Sequence, residues 1–175
     1  MAGRHLVKVG LMADSHDRIP AIAELLRLMR EAGATMVLHA GDYVSPLALK
    51  PFEDLHMTLA GVFGKNDGDH QSLLSRAGAG MGLEIFESPH SFAVGGHQIL
   101  LTHDLADVQK RSVKNHSIIV HGFAHKQSLQ EQGDSLVVNP GESCGWLYGT
   151  PGAALLDLDT KRVEFITLDG PQWKF

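Results

Sequence analysis

Apolar, β-prone runs that each end in a loop carrying Asp or His constrain this chain more than any other feature of its sequence. The runs from Leu6 to Met12, Met36 to Leu38 and Ile118 to Val120 lead into Asp14-Ser15-His16, Gly41-Asp42 and His121-Gly122-Phe123-Ala124-His125. Runs of this kind read as buried strands. Open α/β sheets hold ligands in the loops at strand ends, so Asp14, His16, Asp42 and His125 are expected on one rim. Two carboxylates and two imidazoles form a mixed oxygen and nitrogen set suited to a divalent first-row metal such as manganese, iron or zinc. The competing reading makes the same residues helix caps and turn formers.

The rest of the first half supports a sheet with helices crossing over it. From Ile19 to Arg30, Ile22, Leu25, Leu26 and Met29 share one stripe and Pro20 suits a first turn, which predicts an amphipathic helix. A short helix is expected after Ser45-Pro46, and a strand from Met57 to Val62. From about Leu83 the pattern turns to short strands. Ser91 to Val94 and Gln98 to Thr102 flank Gly95-Gly96 as a hairpin, with a short helix from Leu105 to Lys110. Another strand is expected from Ser117 to Val120. Ser128 to Gln132 and Leu136 to Val138 flank Gly133-Asp134, and Ala153 to Leu158 and Val163 to Thr167 form a last hairpin around Asp159-Thr160. With no repeat or linker, a parallel half followed by a more antiparallel half within one domain, residues 1–175, is the economical expectation.

Composition narrows the function classes. A chain of 175 residues can bury roughly 70% of its unfolded surface. The net charge of −5 argues against a general grip on nucleic acid, which needs a basic face. One cysteine, Cys144, excludes an intrachain disulfide, and the first residues lack a long apolar run, so no membrane association and a cytoplasmic location are expected. Of 11 histidines, His5, His56, His70, His90, His97 and His116 show no ligand spacing and read as surface or packing residues. His121 reads as a strand-end residue, and His39 stays ambiguous. Cys144, Trp146 and Tyr148 read as packing or pocket wall.

Asp14-Ser15-His16, Gly41-Asp42, Gly64-Lys65-Asn66-Asp67, Thr102-His103, Gly122-Phe123-Ala124-His125 and Asn139-Pro140-Gly141-Glu142 occur in the order of the calcineurin-like metallophosphoesterases. The chain resembles most the small archaeal and bacterial phosphodiesterase branch, which is also similar to the retromer scaffold subunit. The resemblance implies an α/β fold: a four-layer α/β/β/α sandwich of two mixed sheets with a two-metal centre at the strand ends. It implies Asp14, His16 and His125 as first-metal ligands, Asp42 as the bridging carboxylate and His103 as a second-metal ligand. Asn66, Asp67 and His103 are then the expected catalytic positions, and Lys65 and Asn66 the substrate-binding ones.

The second-metal half departs from the family pattern. Lys65 stands where an Asn directly follows the glycine, Phe123 replaces the first His of Gly-His-x-His, and Asp104 follows His103 where glycine is usual. A protonated ammonium has no lone pair and a benzyl ring offers none. Three arrangements remain open. Asn66 takes over as ligand after a one-residue shift; or the Lys65 ammonium replaces the second cation and pairs with Asp42; or Lys65 points to solvent and the centre is degenerate.

The expected function is that of a metal-dependent phosphoesterase hydrolysing phosphodiesters through a metal-bound hydroxide, with an altered second-metal site. The alternative is a binding or scaffold protein that keeps the fold and loses the chemistry. The expected cofactor is a divalent metal, manganese ahead of iron, zinc or nickel, with one ion and a second left open. The expected partner is a small phosphoester substrate, and homo-oligomerisation is left open. Asn66 cannot transfer a proton at neutral pH, so leaving groups that need no protonation are favoured.

Overall fold

The computed structural model describes residues 7–79 and 82–174, so Leu6 and His5 lie outside the described residues. β1 (Lys8–Met12), β2 (Met36–His39), β3 (Thr58–Val62) and β4 (Leu83–Phe86) run parallel in that spatial order. β5 (His90–Val94), β6 (His97–Thr102), β7 (Ile118–His121), β8 (Gln127–Gln132) and β9 (Ser135–Pro140) make a second sheet in the order β5-β6-β7-β9-β8. β10 (Gly152–Asp157) and β11 (Arg162–Thr167) return to the first sheet, where β10 lies antiparallel to β1.

Side-chain alternation sorts these strands into layers. Val9, Leu11, Leu38 and Val62 of the first sheet meet Ile99, Leu101, Ile118, Val120 and Val138 of the second in one apolar cluster. Because successive strand residues point to opposite faces, the intervening residues face outwards. In the second sheet these are Leu100, Ile119 and Val137, which pack beneath Val108 and Val113 next to α4 (Lys110–Lys114). In the first they include Met12, Val37, Leu59 and Leu83, covered by α1 (Ile19–Glu31), α2 (Lys50–Asp54) and α3 (His70–Ala79). The result is the expected α/β/β/α sandwich. Both sheets are covered on both faces at their centres, which explains why the central strands read as continuous apolar runs.

α1 follows its sequence closely. Ala21, Ile22, Leu25, Leu26 and Met29 are buried, and Pro20 lies in the first turn, where its missing N–H costs no hydrogen bond. Truncating Leu25 or Leu26 to alanine is expected to cost about 2–5 kcal/mol.

The second half is the more antiparallel one, as expected: β5–β6, β8–β9, β10–β11 and β1–β10 pair antiparallel, while β6, β7 and β9 pair in parallel at the centre of the second sheet. The buried run Ile118–Val120 accounts for the parallel centre, since a strand covered on both faces suits a central parallel position. The helix expected from Leu105 to Lys110 is instead a 3₁₀ turn, Leu105–Asp107, followed by α4. The Asp104 carboxylate accepts from Ala106 N (3.0 Å) and holds that turn. α3 was not anticipated, because only Leu73 and Ala77 mark its buried side.

Candidate metal centre

Five strands deliver the candidate ligands to one rim. Asp14 and His16 follow β1, Asp42 follows β2, Asn66 and Asp67 follow β3, His103 follows β6 and His125 follows β7. Backbone bonds lace these loops together: Asp14 N donates to Gly41 O, and Ser15 N and His16 N both donate to Asp42 O, each at 3.0 Å. The loops approach so closely that a Cβ on Gly64 would lie 2.2 Å from Asp42 Oδ1, and one on Gly41 2.6 Å from Gly64 N. Only glycine fits such an approach, and Gly41 also sits at φ +96°.

Asp14, His16, Asp42 and His125 all have positive φ, between 38° and 63°. Non-glycine residues in this region cost of order 1–3 kcal/mol each and persist where surrounding structure enforces them. Here that strain is concentrated on the candidate ligands.

One donor atom from each of these four residues lies within 4.8 Å of all the others. His16 Nε2 is 3.4 Å from Asp42 Oδ2, His103 Nε2 is 3.5 Å from Asp42 Oδ1, and His125 Nε2 is 3.6 Å from Asp14 Oδ1. Both Asp14 oxygens, His16 Nε2 and His103 Nε2 are buried without a hydrogen-bond partner. A buried polar atom left unpaired costs about 1–3 kcal/mol, so the orphaned Asp14 and His16 atoms, with His103 Nε2 facing Asp42 Oδ1, call for a ligand. A divalent cation fits this donor set, since it satisfies carboxylate and imidazole lone pairs together.

The imidazoles are oriented from behind. His103 Nδ1 lies 2.8 Å from Ala40 O, and His125 Nδ1 lies 2.9 Å from Glu142 Oε2. In each case Nδ1–H donates to the oxygen behind it, which leaves the Nε2 lone pair aimed into the centre. His39, the ambiguous histidine, does not join them. Its Nδ1 accepts from Gly41 N (3.1 Å) and its Nε2 donates to Ser15 Oγ (3.0 Å), so it braces the first two loops. Complete burial, with His103 and His16 nearby, pushes His39 down to about 3. His121 is also buried, with Nδ1 near its own strand-end carbonyl, Gly122 O (3.3 Å).

Burial dominates the electrostatics. It pushes Asp14 up to about 7 from an ordinary 3.8, against the lowering effect of His125 and His103, with Asp42 adding to the rise. The same desolvation lowers His16, opposed by Asp42. Both shifts disfavour the charged form of the side chain. A second set within the same distance, His16, His125 and Cys144, suits a metal less well. Burial pushes the Cys144 thiol up to about 12, which opposes the thiolate that ligation requires.

The other half of the centre is built differently. Asn66 N and Nδ2 donate to the two Asp42 oxygens at 2.8 and 2.7 Å. Lys65 does not pair with Asp42; its ammonium bonds Asp104, and it stands 3.9 Å from the centroid of the Phe123 ring. Lys65 and Phe123 are both about half exposed, at 51% and 49%. Their contact is a rim cation–π pair rather than a cation inside the site. The Asp67 carboxylate accepts from Gly64 N (2.7 Å), Val44 N (2.8 Å) and Asp42 N (3.0 Å). It holds the Asp42 and Gly64 loops together.

Glu142 was the residue that sequence reasoning missed. Besides His125 it receives Leu147 N (3.0 Å to each oxygen) and Tyr148 N (2.6 Å), and it is almost fully buried. No spacing rule links positions 125 and 142; the only available signal was an acidic residue directly after Asn139-Pro140-Gly141.

The calcineurin-like phosphoesterase superfamily domain matches residues 7–161 of this chain. The phosphodiesterase MJ0936 of Methanocaldococcus jannaschii is 30% identical over 166 residues, spanning 93% of this chain and 100% of that protein. Among solved structures, an archaeal phosphodiesterase superposes with a TM-score of 0.86 at 30% identity, covering 93% of this chain and 100% of that one. The phosphoesterase YfcE of E. coli gives 0.67 at 14% identity, with 93% and 100% covered. Vacuolar protein sorting 29 of Cryptosporidium parvum gives 0.63 at 18%, with 93% and 97% covered; these last two likenesses concern the fold. The chain belongs to the calcineurin-like phosphoesterase superfamily.

Proposed function

We propose that this member of the superfamily is a metal-dependent phosphodiesterase whose resident ion is held by Asp14, His16, Asp42 and His125. The observation that carries the reading is the gathering of one donor atom each from Asp14, His16, Asp42 and His125 within 4.8 Å of one another, with the Asp14 oxygens and His16 Nε2 buried and partnerless. A scaffold without chemistry gains nothing from unpaired buried groups, which argues for the enzyme over the scaffold alternative. The phosphodiesterase named among the relatives supports the substrate class.

A divalent ion in such a site polarises phosphoryl oxygens and lowers the pKa of water. We assign manganese as that ion, by its suitability for mixed carboxylate and imidazole sites. Asp42 would hold the ion together with Asp14, His16 and His125; its Oδ1 also faces His103, and both of its oxygens accept from Asn66, so a second ion would find few further ligands. Released from Asp42, the Asn66 amide can donate to a phosphoryl oxygen; it has no proton to give the leaving group. His103, with Nδ1 held by Ala40 O, directs Nε2 toward the phosphate or a weakly held second ion. Lys65 offers a cation at the rim for a substrate oxygen, and Asp67 positions the loops that carry Asp42 and Asn66. Diesters with weakly basic leaving groups are the substrates this arrangement favours.

We further assign the whole chain to one domain acting on small phosphoesters in the cytoplasm. Among the described residues no helix is long and apolar enough to cross a membrane. Hydrolysis of bis(p-nitrophenyl) phosphate with added manganese tests the function. Wild-type turnover lost in Asp42→Asn supports it; equal rates for the two proteins would sink it.

A further inference from the structure

Beside the centre lies a cavity of about 410 Å³ lined by His16, His125, Val44, Trp146 and Leu147. Two of these residues are candidate ligands and three are apolar. Trp146 and Leu147 are 52% and 68% exposed, and Tyr148 beside them is 54% exposed. Consecutive large apolar side chains left in water at the mouth of a polar site point to a binding surface.

The loop that carries them is anchored on both sides. Its backbone N–H groups at Leu147 and Tyr148 donate to buried Glu142, whose other bond orients His125. The Arg18 guanidinium lies over the rings of both Trp146 and Trp173, 5.7 and 5.6 Å from their centroids. It also donates to Cys144 O and Trp173 O. The wall is therefore in fixed register with the metal ligands, because one carboxylate holds both. Preorganisation of this kind lowers the ordering cost of binding.

We infer that the Trp146–Leu147 wall receives a planar aromatic ester substituent, a nucleobase in its biological form, so that nucleotidyl phosphodiesters are the substrate class. This rests on the reading of the adjacent centre as a phosphodiesterase site. His16 and His125, which would hold the ion, also line the cavity, so a substituent seated there would adjoin the phosphate that the ion binds. Base–aromatic stacking tolerates any base, so the wall selects aromatic over alkyl substituents rather than one base over another.

Two diesters with the same leaving group isolate this contact: thymidine 5′-(p-nitrophenyl phosphate) and methyl p-nitrophenyl phosphate. Wild type should prefer the thymidine ester in kcat/KM, and Trp146→Ala should reduce that preference about tenfold, the loss expected of one stack. Leu147→Ser serves as a second variant should Trp146→Ala fold poorly. Equal losses on both esters would overturn the proposal. A binding measurement stands apart from turnover. In manganese-loaded Trp173→Phe protein, thymidine 5′-phosphate should quench the remaining tryptophan emission saturably, and ribose 5-phosphate should quench it far less. Base-dependent quenching without hydrolysis would reject the phosphodiesterase reading and keep the wall. Hydrolysis without substituent preference or base-dependent quenching would reject the wall alone. Sedimentation that shows a dimer lost in Leu147→Ser would assign the surface to a second copy and overturn the proposal.

Discussion

On one side of Asp42, the donor atoms of Asp14, His16 and His125 converge and the Asp14 carboxylate is buried with both oxygens unpartnered. On the other side the groups satisfy one another: Asn66 bonds Asp42, and Lys65 bonds Asp104 above Phe123, half in solvent. The difference separates two ways of placing polar groups at one rim. Around Asp14 and His16 buried lone pairs stand unpartnered on backbone of positive φ; around Asn66 and Lys65 the loops close on ordinary pairs. His103 is the exception on the second side, since its buried Nε2 still faces Asp42.

The largest effect should come from the residue shared by both sides. Asp42→Asn removes a ligand charge worth several kcal/mol in the transition state, so kcat/KM on an aryl diester should fall about a thousandfold. A smaller loss would show that the first side works without Asp42. Glu142→Gln tests the support of His125. Outer partners of ligating histidines are worth about 10–100-fold in metal affinity, and a manganese titration should show a weakening of that size. An unchanged affinity would reduce Glu142 to a loop anchor.

The double change Lys65→Asn plus Phe123→His addresses the second side. Elemental analysis should show the metal content rising from one ion per chain to two; no rise would mean that other residues keep the second position empty. The buried carboxylate supplies a pH test. Asp14 is raised to about 7 from 3.8, so the metal-free fold has its full Asp14 contribution below about pH 4 and loses it as the pH climbs through 7. Metal-free Asp14→Asn should therefore resist urea better than wild type at pH 8 and match it near pH 4. Manganese should reverse the order at pH 8, because only wild type keeps the full ligand set. The smallest effect belongs to the rim. Lys65→Gln should leave the melting temperature unchanged in calorimetry, since exposed ion pairs contribute little to stability.

Much of the candidate centre was legible because its candidate ligands are attached to strand ends. A buried run such as Ile118–Val120 specifies a strand by local pattern alone, and the residues after it must emerge at the rim. The same logic located α1 and the β5–β6 hairpin. It could not place β10 and β11 in the first sheet, because a hairpin's local pattern does not name the strand beside it. Nor could it choose among the arrangements open to Lys65 and Asn66. That choice depended on the position of Asp104, 39 residues further on, whose carboxylate draws the ammonium outward.

Residue types and their order along the chain therefore established a rim of two carboxylates and two imidazoles, since strand periodicity is a local property. Contacts between distant segments settled the rest: the Asp14 desolvation, the Glu142 bond that links His125 to the Trp146 loop, and the self-paired second side. Burial and hydrogen-bond partnership depend on which distant atoms meet, and only the folded chain brings those atoms together.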